Sequence, residues 1–178
     1  MKPILVIDNY DSYTYNLVQL LRENTKAEIV VWRNDQFKLE DVEAFDQIIL
    51  SPGPGIPSEA GLMPELVKTY AESKSILGIC LGHQCIAEVF GAKLLNLSEV
   101  FHGRAITTNI LDADNPLFVG LANQVETGRY HSWTVEREGL PDCIKITAED
   151  DEGIIMALKH ESHRVYGCLL YTSDAADE

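Results

Sequence analysis

Gly78-Ile79-Cys80-Leu81-Gly82-His83-Gln84 is the stretch whose reading decides the fold. An apolar segment, Ile76–Ile79, leads into it, and Ile86, Val89 and Phe90 follow at helical spacing until Gly91. A cysteine with a glycine two residues before it and another two after, between a strand and a helix, marks a sharp strand-to-helix turn with a nucleophile at its apex. Small flanking residues let the backbone bend and a substrate approach. The thiol then faces a helix N-terminus, where unpaired N–H groups and the dipole favour a thiolate. The N–H of Leu81 is placed to stabilise an oxyanion at an attacked carbonyl. A buried structural cysteine is the plainer reading of this residue type, but the paired glycines favour the nucleophile. Cys85, inside the helix, reads as packing.

Working outward, Gln47–Leu50 reads as a strand running into Ser51-Pro52-Gly53-Pro54-Gly55, which no helix or strand interior accepts. Ligands bind at the C-terminal edge of parallel sheets. A stiff loop there, with exposed donors, suits a carboxylate or the completion of an oxyanion hole. It also suits a plain connection, and the residues alone leave both open. No Gly-Lys-Ser/Thr follows, so phosphate binding is disfavoured. Ile4–Ile7 and Glu28–Trp32 read as further strands, and Leu39–Phe45 as a short helix at best. Ser12 is expected to cap a helix with Tyr13, Leu17, Leu20, Leu21 and Asn24 on its inner stripe. Another helix starts near Met63 or Pro64, with Leu62, Leu66, Val67 and Tyr70 inward. Later segments read as strands joined by turns: Ala105–Ile110, Gln124–Tyr130, Cys143–Ala148, Ile154–Leu158 and Val165–Leu170. The expectation is a three-layer α/β domain, a mostly parallel open sheet with helices on both faces and a strand-rich second half.

A chain of 178 residues suits one domain with a sizeable core. The net charge of −14 argues against nucleic acid or anionic membrane as a partner, since both need basic footprints. The N-terminal apolar run is too short for a signal core, and no run approaches membrane-spanning length. Cys80, Cys85, Cys143 and Cys168 have neither paired zinc spacing nor disulfide-framework density, which points to a reducing cytoplasm.

Asp8-Asn9-Tyr10-Asp11-Ser12-Tyr13-Thr14-Tyr15-Asn16, Ser51-Pro52-Gly53-Pro54-Gly55, Leu77-Gly78-Ile79-Cys80-Leu81-Gly82-His83-Gln84, His102-Gly103 and Arg129-Tyr130-His131-Ser132 occur in this order. Together they resemble class I glutamine amidotransferases of flavodoxin-like fold, specifically the glutaminase subunit (component II) of anthranilate synthase and its neighbour in aminodeoxychorismate synthase. The resemblance spans roughly residues 2 to 167. It implies hydrolysis of L-glutamine by a Cys-His-Glu triad through a thioester on Cys80. It implies glutamine contacts from Gly53, Pro54, Gly55, Gln84, Ser132 and Trp133, and oxyanion donors at Leu81 and Gly53. It also implies ammonia transfer to a chorismate-using partner, anthranilate synthase component I, for tryptophan synthesis, or to the folate-pathway equivalent. His102-Gly103-Arg104 would belong to that interface, although residue type alone equally fits a surface turn. No metal or organic cofactor is expected. The Asp8–Asn16 motif argues against a GMP synthetase glutaminase. His83 and His131 are read as structural histidines rather than the triad base.

The family's last motif, Val-Gln-Phe-His-Pro-Glu after Tyr-Gly, is missing. Counted from Gly167, its His falls on Tyr171 and its Glu on Ser173. A tyrosine with its ordinary pKa near 10 is a poor base, and serine cannot orient an imidazole as a carboxylate does. Residues 1–170 are therefore read as a C-terminally truncated amidotransferase domain, and 171–178 as a tail foreign to the family that resembles translated adapter sequence. The alternative is a divergent, non-catalytic binding subunit.

Overall fold

The computed structural model describes residues 2–97, 104–129, 131–169 and 171–172. His102, Gly103, Tyr130 and Ser173 lie outside them. The first half runs β1 (Ile4–Asp8), α1 (Tyr13–Asn24), β2 (Ile29–Arg33), a 3-10 turn (Leu39–Ala44), β3 (Gln47–Leu50), a second 3-10 turn (Pro57–Glu59), α2 (Met63–Tyr70), β4 (Ser75–Ile79) and α3 (Leu81–Val89). The second half is almost all strand: β5 (Leu94–Asn96), β6 (Arg104–Ile110), β7 (Gln124–Arg129), β8 (Trp133–Val135), β9 (Ile144–Asp150), β10 (Ile155–His160), β11 (Val165–Cys168) and β12 (Tyr171–Thr172).

One sheet takes the order β12-β7-β6-β9-β10-β11-β4-β3-β1-β2. From β2 through β1, β3 and β4 to β11 every pairing is parallel. From β11 outward every pairing is antiparallel. β5 and β8 pair separately as a small antiparallel sheet.

Alternation along the central strands explains their continuous apolar reading. Leu5, Ile7, Ile48, Leu50 and Ile76 pack with α2 and α3 on one face, while Ile4, Val6 and Ile49 pack with Leu17 and Val18 of α1 on the other. With both faces covered, all five residues of β1 are buried. Each such buried aliphatic side chain stabilises the fold by about 1.5–3 kcal/mol relative to exposure. β2 is the sheet's edge and is only half-buried.

Two expectations for α1 are corrected. Ser12 has helical backbone angles and makes no side-chain cap. Carboxylates, stronger acceptors than a hydroxyl, do the work instead: Asp11 accepts from the Tyr13 N–H at 2.8 Å, and Asp8 from the Tyr10 N–H at 3.0 Å and the Thr14 hydroxyl at 2.9 Å. The inward face is Thr14, Leu17 and Val18 with Leu21 packed beside them, so Leu17 and Leu21 stand as expected while Leu20 is 58% exposed. Thr14 can face inward because Asp8 accepts its hydroxyl.

Strand boundaries differ by one or two residues from the sequence reading, as at β2, β9 and β10. The 3-10 turn at Leu39–Ala44 stands where a short helix was expected.

Candidate active site

Cys80 sits between β4 and α3 with φ 51° and ψ −100°. A non-glycine residue in this region is strained, typically by about 1–3 kcal/mol, and persists only where its surroundings hold it. Here they do. The Cys80 N–H donates to the Cys168 carbonyl of β11 at 2.9 Å, and its own carbonyl accepts the Gln84 N–H at 3.0 Å as the first bond of α3. The first turn of α3 lies on β4 so closely that a Cβ on Gly78 would come within 2.4 Å of the Gly82 carbonyl carbon and oxygen. A Cβ on Gly82 would come within 2.6 Å of the Leu50 Cβ and 2.7 Å of the Leu50 carbonyl oxygen. Both glycines are therefore required by close backbone approach.

The 51–55 loop is pinned from behind. Ser51 accepts the Asn9 N–H at 2.9 Å on its hydroxyl and the Asn9 side-chain amide at 2.8 Å on its carbonyl. Asn34 donates to Asn9 Oδ1 at 2.9 Å. A Cβ on Gly53 would lie 2.5 Å from the Asn9 Cβ and 2.8 Å from Leu81 Cδ2, so the loop crosses directly over the start of α3. This places the two positions expected to supply oxyanion donors, Gly53 and Leu81, side by side. The motif at 8–16 thus has a physical reason: Asp8 organises the turn into α1, and Asn9 anchors the loop above the nucleophile.

The facing wall comes from the small β5–β8 sheet. Asn96 pairs with Trp133, and the Leu97 N–H donates to the Ser132 carbonyl at 2.7 Å. Gln84 Nε2 donates to the Trp133 carbonyl at 3.1 Å and ties this wall to α3.

Between the walls is a cavity of about 170 Å³ lined by Gly53, Pro54, Gly55, Cys80, Gln84, His131, Ser132 and Trp133. That is below the roughly 300–1,000 Å³ of drug-sized sites and suits a ligand the size of an amino-acid side chain. Every glutamine-contact position expected from sequence lines this cavity, whereas the expected oxyanion donor Leu81 lies outside the lining with its side chain buried beneath Gly53. Tyr171 is not among the lining residues; its backbone pairs with Gly128 of β7.

The other cysteine and histidine of this motif face away from chemistry. Cys85 is wholly buried, and burial pushes its thiol up to about 12. His83 is also wholly buried, with its ring against Gly167, where a Cβ would meet Nδ1 at 2.7 Å. Burial pushes its pKa down to about 3; the Gly167 backbone opposes this without either ring nitrogen reaching hydrogen-bond geometry, and His131 adds to the depression. A neutral, enclosed imidazole cannot reach the cavity.

A strained cysteine between two glycines, under a Gly-Pro loop on a parallel sheet, narrows the class. The family model for class-I glutamine amidotransferases matches residues 5–168.

The chain belongs to the class-I glutamine amidotransferase family. The aminodeoxychorismate/anthranilate synthase component 2 of Bacillus subtilis is 44% identical over 166 residues, covering 92% of this chain and 84% of that one. The bifunctional protein TrpGD of Thermotoga maritima is 39% identical over 181 residues, and there the chain spans only 30% of the relative's length. A crystal structure of a glutamine amidotransferase from Thermotoga maritima superposes with a TM-score of 0.72 at 17% identity, covering 95% of this chain and 75% of that one, a likeness of fold. Within this amidotransferase domain, sequence reasoning missed Asn9, which belongs to a motif but has no role assigned from sequence. His131, read from sequence as structural rather than as the triad base, does make a structural bond, to the Trp133 carbonyl.

Among the described residues, no helix is long and apolar enough to cross a membrane.

Proposed function

We propose that this cavity binds the side chain of L-glutamine and that Cys80 attacks its amide carbon. The observation that carries the reading is the position of Cys80, held at positive φ on the cavity floor between the Gly53 loop and the first turn of α3. Sγ forms a bond to the amide carbon, the oxygen becomes an oxyanion beside Gly53 and Leu81, and the C–N bond breaks with a proton to release ammonia. Water then cleaves the thioester to glutamate and restores the thiol. Ammonia passes to a chorismate-using synthase subunit, in our reading for anthranilate, with the aminodeoxychorismate reaction as the alternative; one B. subtilis relative carries both names.

The positions aligned with the family's His and Glu are Tyr171 and Ser173. Without an imidazole there, proton transfer falls to solvent and turnover is slow, because losing one triad member leaves only a small residue of activity. This supports a second reading, a non-catalytic subunit that binds the synthase and forms no thioester. We read residues 1–170 as the amidotransferase domain and 171–178 as foreign to it, a division supported by the family match ending at Cys168. Sequencing the gene independently beyond codon 167 tests it. None of the four cysteines is in a disulfide, which agrees with the reducing cytoplasm we propose.

The test of function is incubation with L-glutamine and hydroxylamine. Cys80-dependent γ-glutamyl hydroxamate supports thioester chemistry. Its absence, together with synthase binding, would leave the non-catalytic reading.

A further inference from the structure

The wall facing the strand-to-helix elbow at Cys80 is tied by one carbonyl. The oxygen of Trp133 lies 2.8 Å from His131 Nδ1 and 3.1 Å from Gln84 Nε2. A carbonyl only accepts, so both nitrogens donate and His131 carries its proton on Nδ1. The two donors do different things. Gln84 stands on α3 one turn beyond Cys80 and ties the wall to the nucleophile's helix. His131 bonds two residues along its own segment, which fixes the turn from 131 to 133 as a local side-chain-to-backbone bond does. His131 is only 4% exposed and Gln84 3%, so water competes poorly for either bond. All three residues line the cavity.

We propose that His131 is a positioning residue for the amide substrate: its Nδ1–H, sharing the Trp133 carbonyl with Gln84, holds the 131–133 wall in the shape that receives the substrate. The inference rests on reading the cavity as the glutamine site and adds a claim about how that site is held. The required property is a donor at the δ position, and not a base. Asparagine places an amide nitrogen at that position, so it should replace histidine; leucine fills the ring's space without a donor, and alanine does neither.

The experiment uses the whole chain as wild type, His131→Ala, His131→Leu and His131→Asn. Alkylation of Cys80 by iodoacetamide is followed by peptide mass spectrometry across a range of L-glutamine concentrations. The glutamine concentration giving half-protection should rise about tenfold in the Ala and Leu variants and stay near wild type in the Asn variant. Protection is read for each variant relative to its own alkylation rate without glutamine, since His131 shares the cavity lining with Cys80. Equal protection in wild type and His131→Leu, or an Asn variant as weak as the Leu variant, overturns the proposal. If glutamine fails to protect even wild type, the glutamine reading falls by itself. The clamp is then judged by amide hydrogen exchange at residues 132–134. Faster exchange in Ala and Leu than in wild type and Asn sustains it, and equal exchange in all four overturns it.

Discussion

The two walls of the Cys80 cavity are held by opposite means. On the elbow side close approach does most of the holding: a Cβ on Gly78 would meet backbone, one on Gly82 the Leu50 Cβ and one on Gly53 the Asn9 Cβ, all within 2.4–2.6 Å. On the facing side, side chains do the holding: His131 and Gln84 share one carbonyl, and a short two-stranded sheet carries the segment. The first arrangement tolerates no added atom. The second tolerates any residue that supplies the same donor. The difference teaches where a site is specified by shape and where by hydrogen-bond chemistry.

The sharpest way to break that comparison is Gly78→Ala. The new methyl meets the Gly82 carbonyl group and the His83 nitrogen, all backbone, so no rotamer relieves the clash. We expect a loss of about 3 kcal/mol or more, at the upper end for overpacking, seen as a lower urea midpoint with unchanged slope. Ser132→Ala on the facing wall should stay within about 0.5 kcal/mol of wild type. Equal costs would show that the elbow has slack it should not have.

Acid sharpens it next, through His83 under the elbow. Its folded pKa is depressed to about 3, so the folded state keeps it neutral while the unfolded chain takes up a proton below its ordinary value near 6.5. The unfolded state then binds more protons, and stability falls as pH drops from about 6.5 toward 3, by roughly 1.4 kcal/mol per unit. Other groups titrate in the same window, among them His160, whose pKa burial also lowers. The measurement is therefore a difference: unfolding free energy of wild type against His83→Leu at pH 7 and pH 5. The gap should shift in favour of the leucine variant by about 2 kcal/mol at pH 5. An unchanged gap would mean that His83 is hydrated or paired.

Asn9→Ala removes the pin behind the Gly53 loop. It leaves the Asn34 amide and the Ser51 carbonyl without their partner, a cost of about 2 kcal/mol by thermal or urea unfolding. Cys80 alkylation should also change, because the loop crosses the start of α3. A loop unmoved by this change would have to be held by its prolines alone.

These contrasts also explain what the sequence made legible. The parallel half was readable because each strand is apolar throughout and each helix periodic; β1, β3 and β4 appear where Ile4, Gln47 and Ile76 announced them. The elbow was readable because close backbone approach leaves glycines behind. Ser12 misled because propensity names the capping type, whereas the outcome turned on where Asp8 ends β1. β5 and β8 were missed because three-residue strands carry no period of their own. His131 was legible as a residue and illegible as a role, since its partner is a main-chain oxygen available to any sequence.

The smallest expected effect is the most diagnostic. In the middle of a helix or strand, glycine is less stable than alanine by about 0.5–1 kcal/mol because it loses more backbone entropy on folding. At position 80 the order should reverse. The backbone there stands at φ 51° and ψ −100°, which strains alanine as much as cysteine and glycine hardly at all. Cys80→Gly should therefore be more stable than Cys80→Ala by about 1 kcal/mol, the strain relieved less the entropy lost. Both variants abolish chemistry at the thiol, so chemical unfolding reads the backbone alone. If alanine proves the more stable, the elbow is relaxed, and close packing of glycines rather than enforced strain would be what presents the nucleophile.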